Sequence, residues 1–268
     1  MNDINENEIT VIISTLNVAN QIEKTILSYL GQDFKKKNLI IVDGNSSDHT
    51  VEIIKKYSNN LQYWVSENDD GIYDAWNKAI RNTNTEWVCF IGAGDVFYSN
   101  NTLTKLIMAK TNPKTNFISG KIFLIDKKDI FIESMGKKWD FNKLSKNITI
   151  GHPLSLHKLE LLKKYNLFDI KYKICGDYDF LIRSGKSIFA EYLNEFVVIM
   201  KDDGVSKKHF LKATTESAKA LIKSKDFGLI IGTKFFVTSI IKIILKKILF
   251  KSNYGRKFIV YLKSILGD

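Results

Sequence analysis

Short apolar runs and amphipathic stretches alternate through the first hundred residues. The run at residues 9–13 is rich in β-branched side chains, which is typical of a strand buried in a parallel sheet. Residues 18–30 carry apolar side chains at helical spacing and end before Gly31. The pattern then predicts strands at 39–42, 61–65 and 87–91, and helices at 48–57 and 72–80. Strands and helices in this order predict a doubly wound α/β sheet.

The pattern changes twice further along the chain. Between residues 101 and 200, short apolar runs at 117–118, 121–125, 188–192 and 196–199 predict strands, while 158–165 and 177–184 predict helices. After Gly204 the spacing of apolar residues is helical. We therefore expect two regions, residues 1–205 and a helical region at 206–268.

The composition indicates a folded protein in a reducing compartment. Of the 268 residues, 44% are hydrophobic, which supplies a sizeable core, and two prolines are too few for a Pro-rich linker. Cys89 and Cys175 lie far apart, and neither has a His or Cys neighbour at metal-ligand spacing. The first ten residues are polar and lack the apolar segment of a secretory signal. We expect a cytoplasmic location.

Two carboxylates lie just beyond the ends of predicted strands. Asp43 follows the strand at 39–42, and Asp95 follows the strand at 87–91 across the small turn 92–94. Ligands of doubly wound sheets bind beyond the carboxyl ends of the strands. There Asp43 is placed to accept hydrogen bonds from a base or a ribose, and Asp95 to bind a hard cation that bridges a pyrophosphate. The alternative is that both carboxylates only cap turns or helices.

The net charge of +11 is concentrated near the C-terminus. From residue 228 to 268, eight Lys or Arg stand against the single acid Asp268, a net charge of +7 for this segment. Lys234, Thr238, Lys242 and Lys246 recur every four residues and form a narrow polar stripe on an apolar helix. The longest uncharged stretches hold seven residues, fewer than the roughly 20 that a membrane-spanning helix needs. We expect a basic amphipathic helix that lies in the membrane interface. The alternative is a helix packed on the core or on a partner subunit.

Several segments resemble, in order and spacing, family 2 glycosyltransferases with the GT-A fold. They are IISTLN (12–17), IVDGNSSDHT (41–50), SENDDGIYDAWNK (66–78), IGAGD (91–95), the His152-Pro153 pair and the stretch at 167–183. The resemblance covers about residues 8–205 and is strongest to bacterial enzymes that assemble O-antigen, colanic acid and other surface polysaccharides. It implies a GT-A α/β fold, with a nucleotide-binding half at about 1–100 and an acceptor and catalytic half at about 101–205.

The resemblance implies a role for each matching residue of the first half. Thr15 and Asn17 would line the nucleotide site, Asp43 would read the base, and Asp69 would lie near the nucleotide. Asp95 matches the last carboxylate of the family's metal-binding motif and would hold Mn²⁺ or Mg²⁺. The sequence departs from that motif at its first acidic position, which is an alanine.

In the second half, Asp177 matches the carboxylate that acts as general base in inverting members. The implied reaction moves a hexose or N-acetylhexosamine from a UDP-sugar to a lipid-pyrophosphate-linked glycan on the inner face of the cytoplasmic membrane. One carboxylate takes the proton of the acceptor hydroxyl as that oxygen attacks the anomeric carbon. Asp179 ranks second for this role, and His152 is either a metal or acceptor contact or a packed loop residue.

Two other function classes fit parts of the sequence. A nucleotidyltransferase would share the sheet and a metal-binding Asp, but it predicts a Gly-rich loop with Arg or Lys after the first strand. The loop from Ser14 to Asn17 has neither glycine nor a basic residue. A non-catalytic protein that binds membranes or nucleic acid would use the basic tail, but it leaves the carboxylates at the strand ends unexplained. We therefore expect no nucleic-acid partner.

Overall fold

The computed structural model describes residues 5–146 and 150–251. The strands are β1 (Asn5–Thr15), β2 (Lys37–Asp43), β3 (Tyr63–Ser66), β4 (Thr85–Gly92), β5 (Val96–Phe97), β6 (Phe117–Ile125), β7 (Phe131–Met135), β8 (Leu156–Lys158) and β9 (Ala190–Lys201). The helices are α1 (Ala19–Leu30), α2 (Thr50–Lys56), α3 (Ile72–Arg81), α4 (Thr102–Met108), α5 (Leu159–Lys164), α6 (Gly176–Ser184), α7 (Val205–Lys208), α8 (Phe210–Lys223) and α9 (Gly228–Lys251). Every strand and helix predicted in the first hundred residues is confirmed to within a few residues.

The strands of the described residues form one mixed sheet in the order β3-β2-β1-β4-β8-β6-β9-β5, with β7 paired to β6. Strands β3, β2, β1 and β4 are parallel, so their carboxyl ends meet at one edge. Beyond them, β8 runs antiparallel to both β4 and β6. The parallel part carries the predicted ligand edge, and the mixed part extends the sheet past it.

Two pairs of short predicted strands are each one longer strand. Residues 117–118 and 121–125 form β6, and 188–192 and 196–199 form most of β9. Their pairing shifts register between Ser119 and Ile122. A side chain on Gly120 would lie 2.4 Å from Val197 Cγ1, so glycine permits the close approach of the two strands at this irregularity. The break in the apolar pattern therefore marks a bulge within a strand.

Helices cover both faces of the sheet. Buried residues of α1, α2 and α4 pack on one face, and those of α3, α5 and α6 pack on the other. Helix α8 joins the second group, where Ala220 and Leu221 are buried in the same cluster as α3 and α6. Helix α8, which lies in the predicted C-terminal region, thus packs against the α/β domain.

Helix α9 packs on the domain through one side only. A side chain on Gly232 would lie 2.4 Å from Ile222 Cγ1, and the Phe235 ring stacks on Tyr178 at 6.5 Å between centroids. Its other side exposes large apolar residues, among them Leu229, Ile230, Ile241 and Ile244. By length and composition Gly228–Leu245 is long and apolar enough to cross a membrane, so the short uncharged stretches in the sequence do not by themselves exclude a span. Residues 252–268, with the last charges of the tail, lie outside the described residues.

Candidate active site

Asp43 ends β2 and is the centre of a hydrogen-bond cluster at the carboxyl edge of the sheet. Its Oδ1 accepts from the hydroxyls of Thr15 at 2.7 Å and Ser46 at 2.5 Å, and its Oδ2 accepts from Ser66 Oγ at 2.7 Å and Ser46 N at 2.8 Å. Burial alone would raise the pKa of Asp43, but the bonds from Ser46, Ser66 and Thr15 outweigh it and lower the pKa. The carboxylate is charged and ties the ends of β1, β2 and β3 together.

Asn17 and Asp69 lie on either side of this cluster. The Asn17 N–H donates to Ser46 Oγ at 2.8 Å, and its Oδ1 accepts from Ser47 N at 2.9 Å. Asn17 takes this position with a φ of 52°. The Asp69 carboxylate packs against Gly44, since a Cβ atom added to this glycine would lie 2.7 Å from Asp69 Oδ2. Thr15, Asn17, Asp43 and Asp69, predicted as nucleotide-binding residues, are therefore neighbours at one edge.

Asp95 lies in the turn that leaves β4, beside the N-terminal part of α1. Thr25 Oγ1 donates to the Asp95 carbonyl oxygen and accepts from Gly94 N, both at 2.8 Å. Gly94 has a φ of 102°, which favours glycine at this turn. Burial raises the pKa of Asp95 to about 7, and the nearby Asp203 carboxylate adds to that rise. The turn holds the carboxylate in a partly desolvated position.

The surroundings of Asp95 decide what kind of cation site it offers. Among residues 5–146 and 150–251, no group of three or more His, Cys, Asp or Glu side chains is placed to hold a metal ion. Magnesium sites at phosphates typically use one or two carboxylates and complete the shell with phosphate oxygens and water. A single carboxylate beside a glycine turn fits a cation shared with a pyrophosphate. It does not fit a cation that the protein holds by itself.

Asp177 opens helix α6 and is held by two donors. The Tyr178 N–H donates to its Oδ1 at 2.9 Å. The Tyr73 hydroxyl of α3 lies 3.0 Å from the same oxygen and 2.7 Å from the Ile174 carbonyl oxygen, so one proton is shared between two acceptors. Burial raises the pKa of Asp177, although these donors oppose it. A carboxylate that is oriented and partly desolvated suits a general base.

Two further contacts fix the loop that carries Asp177. A side chain on Gly176 would lie 2.8 Å from the Tyr73 ring, so glycine allows the two segments to meet. The buried Glu216 of α8 accepts from three consecutive backbone N–H groups, those of Lys173, Ile174 and Cys175, at 2.8–3.1 Å. The loop that carries Asp177 is thus clamped between α3 and α8.

The remaining sequence candidates have structural partners. Asp179 is buried and accepts from Arg183 Nε at 2.7 Å. Arg183 also donates to the carbonyl oxygen of Leu167 at 2.8 Å. His152 is buried and stacks on Trp76 at 5.4 Å between centroids, and burial lowers its pKa to about 4. His152 is a buried, packed residue, as the second of its two interpretations expected. The Asp179 carboxylate is paired with Arg183.

Comparison with known proteins identifies the class that this fold and edge define. Residues 10–160 match the family described as Glycosyl transferase family 2, and this match spans more than half of the chain. The protein belongs to glycosyltransferase family 2. It is a glycosyltransferase with the GT-A-like α/β fold.

Two curated relatives are similar over most of their length. The PGL/p-HBAD biosynthesis glycosyltransferase of Mycobacterium bovis is 26% identical over 80% of this chain and 86% of its own. A second relative comes from Methanococcus voltae and is 27% identical over 88% of this chain and 81% of its own. It is named dolichyl N-acetyl-alpha-D-glucosaminyl phosphate 3-beta-D-2,3-diacetamido-2,3-dideoxy-beta-D-glucuronosyltransferase.

Solved structures share the fold at low identity. Residues 1–349 of Staphylococcus aureus TarS, in complex with UDP, superpose with a TM-score of 0.65 at 19% identity, covering 85% of this chain and 69% of that one. The mannosyltransferase PcManGT of Pyrobaculum calidifontis, in complex with GDP-Man and Mn²⁺, also gives 0.65 at 17% identity, covering 94% and 82%.

Sequence reasoning missed the residues that support the site. Ser66 and Tyr73 stand inside a recognised segment, but no periodicity distinguishes them from their neighbours. Glu216 carried one available signal, because it is the single acid of the helix Phe210–Lys223 and is surrounded by lysines. Its contacts bridge 41–43 residues of chain, which local patterns do not reveal.

Proposed function

We propose that this glycosyltransferase is an inverting enzyme that moves a hexose or N-acetylhexosamine from a UDP-sugar to a lipid-pyrophosphate-linked glycan. The product would belong to a surface polysaccharide of the O-antigen or colanic-acid type. The observation that carries the proposal is the meeting of Thr15, Asn17, Asp43 and Asp69 at the carboxyl edge of the parallel strands. That edge is where α/β sheets bind nucleotides.

The donor side of the proposal rests on charge and geometry. The ionised Asp43 suits the imide N–H of uracil, and the exposed Asn17 and half-buried Asp69 offer polar groups beside it. TarS was crystallised with UDP, which supports UDP as the nucleotide. Asp95 would hold Mn²⁺ or Mg²⁺ together with the donor pyrophosphate, and the PcManGT complex with Mn²⁺ supports that cofactor. A bound cation would neutralise charge on the departing nucleoside diphosphate.

Asp177 would perform the proton transfer. Its carboxylate takes the proton of the acceptor hydroxyl, the hydroxyl oxygen bonds to the anomeric carbon, and the bond from that carbon to the UDP oxygen breaks. Attack from the face opposite UDP inverts the anomeric configuration. Tyr73 and the N-terminal end of α6 orient Asp177 for this step, and its raised pKa strengthens it as a base.

The acceptor side of the proposal places the enzyme on the cytoplasmic membrane. The name of the Methanococcus voltae relative describes a dolichyl-phosphate-linked sugar, which supports a lipid-linked acceptor. Helix α9 exposes an apolar side next to Lys234 and Lys242. We propose that it lies in the interface, since Gly232 and Phe235 hold its other side against the water-facing domain.

Calorimetric titration with nucleotides tests this function. UDP should bind more tightly with Mn²⁺ than with EDTA, and GDP, CDP and dTDP should bind more weakly under both conditions. Asp95→Ala should remove the difference between Mn²⁺ and EDTA, while the exposed control Glu160→Ala should keep it. Metal-dependent UDP affinity that is unchanged in Asp95→Ala would exclude this residue as the cation ligand. Preference for another nucleotide would exclude UDP-sugar as the donor.

A further inference from the structure

A pocket of about 690 Å³ lies between helix α8 and the loop that precedes Asp177. Five lysines line it, two from the loop and three from one side of the helix. They are Lys171, Lys173, Lys212, Lys219 and Lys223. The role of this pocket does not follow from the donor site or from the general base.

The pocket is strongly cationic. Within the described residues, the lysines that line it form no ion pair. Its one carboxylate, Glu216, accepts three backbone N–H bonds and offsets only one of the five lysine charges, so the lining keeps a net charge of +4 (five Lys minus one Glu). Like charges gathered around one cavity repel each other unless an anion fills it. A phosphate or pyrophosphate group carries the negative charge that the lysines need and is small enough to enter the pocket.

The pocket adjoins the catalytic loop. Lys173, four residues before Asp177, donates through its Nζ to the Asp70 carbonyl oxygen. Glu216 lines the pocket and also binds the N–H groups of residues 173–175. An anion held here therefore sits beside the segments that position the base.

The pocket also borders the apolar helix. Ile222 lines it and packs directly against Gly232 of α9. Leu229 and Ile230, three and two residues before Gly232, are 67% and 83% exposed. A ligand with a charged head in the pocket can thus lay an apolar chain along α9. Free phosphate would contact only the lysines, whereas a lipid phosphate would contact both the lysines and the apolar side of α9.

We infer that this lysine pocket binds the phosphate groups of the lipid-linked acceptor. The inference rests on the proposed function and adds the place where the acceptor's anionic head is held. The lysines would pair with the phosphate oxygens, α9 would contact the lipid chain, and the glycan would extend toward Asp177.

The test uses the full-length protein and two matched triple variants. Lys212→Gln/Lys219→Gln/Lys223→Gln removes three charges from the pocket. Lys24→Gln/Lys35→Gln/Lys55→Gln removes three from exposed positions on α1, α2 and the segment between them. Binding is measured to phosphatidylcholine vesicles that contain either a long-chain polyprenyl pyrophosphate or phosphatidylglycerol at the same total charge. UDP affinity and thermal unfolding are measured in parallel.

The wild type should prefer the polyprenyl pyrophosphate vesicles. The pocket variant should lose about tenfold to a hundredfold of that binding, and the control variant should keep it. If both variants lose the same share of binding, or if the wild type binds both vesicle types equally, the lysine pocket is not the site that binds the acceptor's phosphate groups. If UDP fails to bind while the pyrophosphate preference stands, the proposed function fails and the pocket remains. If UDP binds without any such preference, the pocket alone is wrong.

Discussion

Asp177 combines two properties that a structural carboxylate rarely needs. It is oriented by Tyr73 and Tyr178 N, and burial raises its pKa. Both favour proton transfer and neither strengthens packing, because desolvating a carboxylate disfavours its charged form. We therefore expect substitution here to change chemistry more than folding.

Asp177→Asn should lower kcat by on the order of 10² to 10⁴, because the amide keeps the shape but cannot take the acceptor proton. UDP affinity should stay close to wild type, since the nucleotide edge is formed by other residues. Steady-state transfer assays and calorimetry check both. Near-full turnover in Asp177→Asn combined with an inactive but folded Asp179→Asn would transfer the role of base to Asp179.

The same substitution should stabilise the protein above the raised pKa. A carboxyl group whose folded-state pKa exceeds its unfolded value contributes stability at acid pH, and this is lost as the pH rises through the folded-state pKa. Asn does not titrate. Relative to wild type, the unfolding temperature of Asp177→Asn should therefore rise as the pH increases above the ordinary carboxyl pKa of 3.8. A difference that stays constant with pH would contradict the pKa shift.

Tyr73→Phe should move the pH dependence of turnover. Tyr73 is the side-chain donor that lowers the pKa of Asp177, against burial and the Glu216 carboxylate, which raise it. Cys175 and the Tyr178 N–H are the other groups beside it. Without the hydroxyl, the acid limb of the kcat profile should shift to higher pH. A purely structural role would lower kcat equally at every pH, so the profile separates the two.

At the scale of elements, helices α3 and α6 meet because Gly176 leaves room for the Tyr73 ring. An added methyl group would lie 2.8 Å from that ring, and a buried aromatic ring cannot move aside cheaply. Gly176→Ala should destabilise the fold by about 1–3 kcal/mol and lower kcat. Gly204→Ala is the control, since nothing lies within 4 Å of its added side chain. Denaturant unfolding measures both, and equal stability of the two variants would refute the contact.

The elements differ in how well the sequence predicts them. Strands β1, β2 and β4 were predictable because each is a largely buried parallel strand with a continuous apolar run, and Asp43 ends one of them. Strand β9 read as two strands because Asn194 and Glu195 are exposed near a register shift. The clamp by Glu216 was not predictable, since a buried polar contact depends on which helices pack together. Local propensity does not encode that choice.

At the scale of the whole molecule, α8 and α9 connect the loop that carries Asp177 to an apolar surface. Glu216 of α8 holds the loop, and Ile222 of the same helix packs on Gly232 of α9. These two contacts connect the surface of α9 to the loop that carries Asp177. This arrangement suits an enzyme whose acceptor is held in a membrane.

Membrane association should depend on the basic stripe of α9. Anionic headgroups attract Lys near the interface by about 1 kcal/mol each, and the apolar side adds burial. Reversing charge at Lys242, Lys246 and Lys247 should weaken binding to anionic vesicles by on the order of a hundredfold. Matched reversals at Lys24, Lys35 and Lys55 should weaken it much less. Ending the chain near Asp226 should release the folded protein into the soluble fraction.

High salt and alkaline carbonate then distinguish the two ways in which α9 can meet a membrane. An interfacial helix should be stripped in part by salt, because the electrostatic attraction is screened within about 10 Å at 0.1 M. It should also be extracted by carbonate, which leaves spanning helices in place. We expect extraction, since Gly232 and Phe235 must leave the domain before lipid can surround the helix. Retention after carbonate would show that α9 crosses the bilayer. Failure of the full-length protein to bind anionic vesicles would assign the apolar side to a partner subunit.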